Sequence, residues 1–371
     1  MSILYSGKMK PSFLYVLGAL CIFAHALSFS SYGQEKNKPT IDMWGVFQPR
    51  LSYGASDDTT ANVNRAGFGI KRARLRVEVG LNNKIGVRYD SDFASGVFQT
   101  VDLFAFYRVS PNVQLRVGIM PSAQPRAHIF TPIPLIDGFD RAAIAEQWGA
   151  ATLGGGGRDF GMDVQYQTDE WTLVGFLHNG DGSFSKTRGN FSQTISSESA
   201  TNGVDQTSLA TSFYAAHRVP GIKGVEVGGY LSFNPTKNAN TVVEGFGGRK
   251  YFSYATHAYY GAEPGSQPFR LKFDLIGINY EGAGDQKRLG MSFLGAVSAN
   301  EYLEFFGRYE NIKKDVNFDA DNFWSAGVTF SLSKFKGGPF STQRATLGYS
   351  MLDTPEGAQE HLVVLQWLFI L

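Results

Sequence analysis

Arg72, Arg74 and Arg76 alternate with Ala73, Leu75 and Val77. In an extended strand, residues two apart share a face, so this spacing sets three guanidinium groups in a row about 6–7 Å apart. Lys71 adjoins the row at a bulge position that leaves its side open. Like charges so close need water, acids or anionic ligands around them. Along a water-filled passage they would raise the local anion concentration and exclude cations. Arg88, Arg108 and Arg116 fall on the corresponding face of the next three strands. A competing account pairs the arginines with Glu78, Asp90 and Asp102 and leaves them only to solvate an interior.

The second chemically loaded segment is 121–157, which is too long for an ordinary connection and rich in Ile, Leu, Phe and Trp. A segment of that kind packs against something. Folded inward, it would narrow the passage and set Asp137, Asp140 and Glu146 across from the arginine wall, with Arg126 and Arg141 on the same segment. Opposed acids and bases would orient dipolar solutes. An external lid or subunit latch is the alternative. The segment holds no lysine, so it offers few fixed donors to replace the hydration of a phosphate.

These residues must be positioned by strands. Period-two alternation recurs in segments of about ten residues, punctuated by Gly, Asn, Asp and Pro. The candidate strands are 41–53, 68–80, 84–93, 98–109, 113–120, 158–167, 171–178, 207–218, 223–233, 249–260, 269–281, 287–298, 302–312, 322–333, 342–352 and 360–371. Even-numbered links are mostly tight, although 261–268 and 334–341 are longer. The longest odd-numbered links are 121–157, 179–206 and 234–248. Alternating short and long connections, with an even strand count, predict an all-β transmembrane antiparallel barrel of about 16 strands. No water satisfies the backbone inside a bilayer, so 41–53 must pair with 360–371. The final strand shows Val363, Leu365, Trp367, Phe369 and Leu371 on one face, but Leu362, Val364, Leu368 and Ile370 make the other face apolar too. Tyr107, Tyr280 and Tyr309 suit interfacial belts.

Residues 1–33 have a charged start, an apolar middle and a small-residue exit at Ser31-Tyr32-Gly33, the pattern of a cleaved signal peptide. A membrane anchor is the rival, and bulky Leu20 before Cys21 argues against lipidation. The single cysteine would leave with the leader, which excludes disulfide scaffolds and cysteine chemistry. The leader's two lysines take the formal charge from +1 to −1, which gives no footing for nucleic acid. No cofactor or metal site is expected. The remaining histidines, His128, His178, His217, His257 and His361, lie in no recognisable Ser or Asp context. Gly154–Gly157 lacks the Lys-Ser/Thr of a phosphate-binding loop. A barrel enzyme is therefore disfavoured, and a surface-recognition barrel using 179–206 is a further rival.

The strand count, the long third loop, the arginine-rich early strands and the aromatic last strand resemble a bacterial porin. Residues 68–80 are similar to the arginine-rich early strand of the phosphate-selective porin O and P family. The resemblance implies one outer-membrane barrel domain over 34–371, with 121–157 as its constriction loop. It also implies a homotrimer, inserted among outer-membrane lipids by the barrel assembly machinery, that passes small anionic or hydrophilic solutes. Arg72, Arg74 and Arg76 match the family's arginines. With three acids against two arginines in 121–157, a mild anion preference is favoured over a dedicated phosphate site.

Overall fold

A computed structural model describes residues 39–57, 64–128, 131–152, 157–180, 209–235, 250–281, 287–317 and 319–371; the expected leader and most of 179–206 and 234–248 lie outside them. Sixteen strands form one closed antiparallel barrel. They are β1 (Thr40–Ser56), β2 (Arg65–Gly80), β3 (Ile85–Asp92), β4 (Gln99–Ser110), β5 (Val113–Met120), β6 (Asp159–Gln167), β7 (Trp171–His178) and β8 (Ala210–Arg218). There follow β9 (Val225–Asn234), β10 (Lys250–Tyr260), β11 (Phe269–Glu281), β12 (Lys287–Ser298), β13 (Leu303–Lys313), β14 (Asp321–Ser331), β15 (Gln343–Asp353) and β16 (Gln359–Ile370). Each strand pairs with its sequence neighbours, and β1 closes on β16 with Val46 opposite Ile370 and Tyr53 opposite Val363. No edge is left to seek a partner.

Alternation then sorts the side chains. Leu75, Leu103, Leu115, Phe160, Phe213, Leu231, Phe293 and Leu347 stand exposed on the outer wall, as a transmembrane barrel requires. Tyr309 packs against Trp324 in this outer layer, with ring centroids 4.3 Å apart and the planes tilted by 39°. Tyr280 departs from the expected belt. It shares the inward row of β11 with Ile276 and Ile278, and all three are buried.

The described residues of the long segment 121–157 fold into the lumen. Its helix α1 (Ala143–Thr152) lies against β11, β12 and β13, where Ile144 and Trp148 join an apolar cluster with Phe176, Tyr230, Ile276 and Ile312. Trp148 donates to Ser253 Oγ at 2.6 Å, and Glu310 accepts from the Ile144 amide at 3.0 Å. Small residues make room: a Cβ on Gly290 would lie 2.8 Å from Ile144, and one on Gly348 would lie 2.3 Å from Phe139. The doubly apolar β16 is explained here. Val364 packs with Phe139, and Leu368 with Ile133 and Ile136, so its second face meets the loop rather than lipid. The long even link 261–268 tucks against the same interior, with the Gly265 amide donating to Glu304 at 2.9 Å.

Candidate functional site: the basic wall and the inserted loop

The register of β1 and β2 slips between Gln48 and Pro49 and leaves Lys71 as the extra residue. The bulge turns Lys71 inward beside Arg72. Arg72, Arg74 and Arg76 all face the lumen, but each meets partners. Arg72 donates to Gln48 at 2.7 Å, Arg74 pairs with Asp92 at 2.7 Å, and Arg76 holds Asp90 through two nitrogens, the closer at 2.7 Å. Glu78 takes both Arg88 and, at 3.3 Å, Arg108. Arg116 is buried against Asp163, while Asp102 pairs with Arg158. The pairing of arginines with Glu78 and Asp90 is thus present, and Asp102 serves a different arginine. Exposure grades the wall: the side chains of Arg72 and Arg116 are 5% and 7% exposed and that of Arg74 18%, those of Arg76, Arg88 and Arg108 32%, 30% and 42%. The last three are the part that a solute in the lumen can touch.

The loop acids divide. Asp140 faces the wall as expected, 2.8 Å from Lys71, 3.7 Å from Arg50 and 3.8 Å from Arg72. Asp137 does not. It crosses to β11 and sits 2.8 Å from Arg270 and 2.6 Å from Lys272, with Glu304 completing the cluster 2.7 Å from Arg270. The expectation placed it with Asp140 because sequence alone cannot say to which side of the lumen a loop residue turns. Glu146 is exposed in the first turn of α1. Arg126 pairs with Glu226 at 2.8 Å. Arg141 donates to the carbonyls of His128 and Thr131 and ties the loop to itself; burial, then the nearby Arg72, lowers its pKa to about 9, which leaves it a cation at neutral pH. Sequence reasoning missed Arg270, Lys272, Glu226 and Asp163. Arg270, Lys272 and Asp274 alternate with Leu271 and Phe273, so the period-two signal that marked β2 was available on β11 as well.

One histidine departs from expectation. His178 Nδ1 lies 2.7 Å from Asp159 and its Nε2 lies 2.7 Å from Ser212 Oγ. Asp159 also accepts from the amides of Phe160 and Gly180. These residues come from β6, β7 and β8, and the pairing of these three neighbouring strands brings them together. The order carboxylate–imidazole–hydroxyl is that of an acyl-transfer triad. Ser212, however, is only 1% exposed. Its position fits a polar clamp on the strand ends, with Ser232 Oγ a further 2.8 Å along. His178→Ala should lower stability by about 2–3 kcal/mol, because buried Asp159 and Ser212 each lose one hydrogen bond with no water to replace it. Equilibrium urea unfolding in detergent measures this, and an unchanged midpoint would refute the clamp.

No family model and no curated protein matches the chain. Among solved structures it is similar to the anion-selective porin from Comamonas acidovorans, with a TM-score of 0.63 and 12% identity over 90% of this chain and 100% of that one. It is also similar to OmpF of Salmonella typhi in complex with daunomycin (0.60, 14%, 90% and 98%). A third is the outer-membrane channel DcaP of Acinetobacter baumannii (0.60, 12%, 91% and 99%).

Proposed function

We propose that this chain is a bacterial outer-membrane porin, a water-filled channel through which small hydrophilic solutes diffuse with a mild preference for anions. One observation carries the reading. The inserted loop packs its apolar side chains against the inner faces of β7–β16 and leaves Arg76, Arg88 and Arg108 of β2–β4 partly exposed to the lumen. The barrel is shared with solved porins, one of them named as anion-selective, which supports the same class. The reading includes removal of residues 1–33 on export, insertion by the barrel assembly machinery and a homotrimer in the outer membrane. A dedicated phosphate channel is less well supported, because Arg126 is already paired with Glu226 and Arg141 is committed to backbone carbonyls.

The test is planar-bilayer conductance of the refolded mature chain, with the reversal potential read in a salt gradient. The expected result is a large current with anions favoured about two- to fivefold, as roughly 1 kcal/mol per uncompensated lumenal charge implies. Arg72→Ala/Arg74→Ala/Arg76→Ala leaves Asp92 and Asp90 uncompensated and should abolish or invert that preference. A folded barrel without current would sink the channel.

A second reading, a barrel acyl hydrolase, is favoured only by the Asp159–His178–Ser212 relay. Labelling of Ser212 by a fluorophosphonate, lost in Ser212→Ala, would establish it; absence of labelling leaves the relay a clamp.

A further inference from the structure

The three exposed arginines are not bare charges. Arg76 lies over the ring of Trp44 at 4.8 Å, Arg88 over Phe104 at 5.3 Å and Arg108 over Phe106 at 4.4 Å. Phe104 and Phe106 are each 3% exposed, so the rings serve as floors and the guanidinium groups cover them. Each guanidinium is also held in its own plane. Arg76 gives Nε and Nη2 to Asp90, Arg88 gives the same pair to Glu78, and Arg108 reaches Glu78 through Nη2. A guanidinium set over a ring and tied at one edge to a carboxylate has its remaining surface free to meet a solute in the lumen. Three such surfaces step down adjacent strands at the short-turn end of the barrel.

We infer that this staircase is a selectivity surface for planar monocarboxylates, meaning aromatic and heteroaromatic acids, in preference to round or multiply charged anions. The inference rests on the channel reading above. Two features decide the class. Charge decides valence: within these ion pairs three arginines share two carboxylates, Glu78 and Asp90, which leaves one net positive charge, and Asp42, opposite Glu78, is a further acid against a second negative charge. One negative charge satisfies it, and the second charge of a dianion would meet those same carboxylates. Shape decides the rest. A flat delocalised ring can lie on a guanidinium face while its carboxylate takes a vacant N–H edge, such as Nη1 of Arg76 or Arg88. A puckered ring of equal size cannot lie flat. Attraction of this kind is weak enough for the solute to leave, which a conducting site needs.

The test compares potassium benzoate with potassium cyclohexanecarboxylate, equal in charge and near in size, by bi-ionic reversal potential in bilayers holding the mature chain. Benzoate should be about two- to fivefold more permeant, the range for stacking on an exposed cation. Arg88→Lys/Arg108→Lys keeps both charges and removes two of the three planes, and should bring the ratio well down toward one, Arg76 alone remaining. Phe106→Leu removes the floor under Arg108 without touching charge and should lower the ratio by about half. Equal permeabilities in the parent, or a ratio unmoved in both variants, would overturn the inference while chloride current upheld the channel. No current in potassium chloride would overturn both.

Discussion

Replacing Asp137 with asparagine is expected to raise single-channel conductance and make the open level noisy. Asp137 is the point at which the inserted loop is bound to the far wall, between Arg270 and Lys272. Both cations are nearly inaccessible, and only Arg270 keeps a second carboxylate, Glu304. Removing one member of a buried ion cluster costs about 3–5 kcal/mol, because the charges left behind stay desolvated. The loop can relieve that cost by moving away, which widens the passage. Burial alone would raise the Asp137 carboxyl, but Lys272 and Arg270 outweigh it and hold the group well below the ordinary carboxylate range. A carboxyl depressed in the folded state stabilises above its unfolded value of about 3.9 and loses that contribution as pH falls through the folded value. Conductance of the parent should therefore hold from about pH 7 to about pH 5 and loosen only below about pH 4. Loop noise that begins near pH 6 would show that another group anchors the loop, and a quiet Asp137→Asn channel of parental conductance would remove Asp137 from that role.

The barrel and the wall were legible in the sequence because both rest on the same local signal. Arg72, Arg74 and Arg76 alternate with apolar residues whatever the rest of the chain does, and pairing of neighbouring strands follows from short turns. The expected strands 84–93 and 249–260, for example, appear as β3 and β10. What was not legible depends on contacts between separate elements. Asp137 meets Arg270, 133 residues away, and no local pattern encodes which wall a loop acid will choose. The Asp159–His178–Ser212 relay is assembled from the ends of separate strands, so no histidine looked distinctive in its own neighbourhood. Apolar residues on both faces of β16 were ambiguous for a physical reason: a protein loop and lipid both reward apolar contact, and alternation cannot tell them apart.

The lumen that results is asymmetric. One wall, from β7 to β16, is occupied by the apolar side of the loop. The opposite wall carries ion pairs whose outer members are wet. This division gives the two loop acids different work, although they lie only three residues apart. Asp137 is an anchor among dry cations. Asp140 is about a quarter exposed, as are Lys71 and Arg50 beside it, so its charge is felt by whatever passes.

Asp140→Asn is accordingly expected to sharpen anion selectivity rather than release the loop. The amide can still accept from Lys71, and the Asp140 carbonyl would still receive Arg308 at 2.9 Å, so the backbone stays tied. What disappears is the carboxylate that Lys71, Arg72 and Arg50 share. One unit of uncompensated positive charge a few ångströms from a solute is worth about 1 kcal/mol in water, or about fivefold in relative anion permeability. The effect should shrink between about 0.1 M and about 1 M salt as the screening length falls from about 10 Å to about 3 Å. Paired reversal-potential measurements at both ionic strengths check this directly. A selectivity that rises and then fades with salt would identify Asp140 as the acid that moderates the basic wall. A selectivity unchanged at low salt would mean that solutes pass beyond the reach of Asp140, and the passage would have to lie lower along the wall, at Arg88 and Arg108.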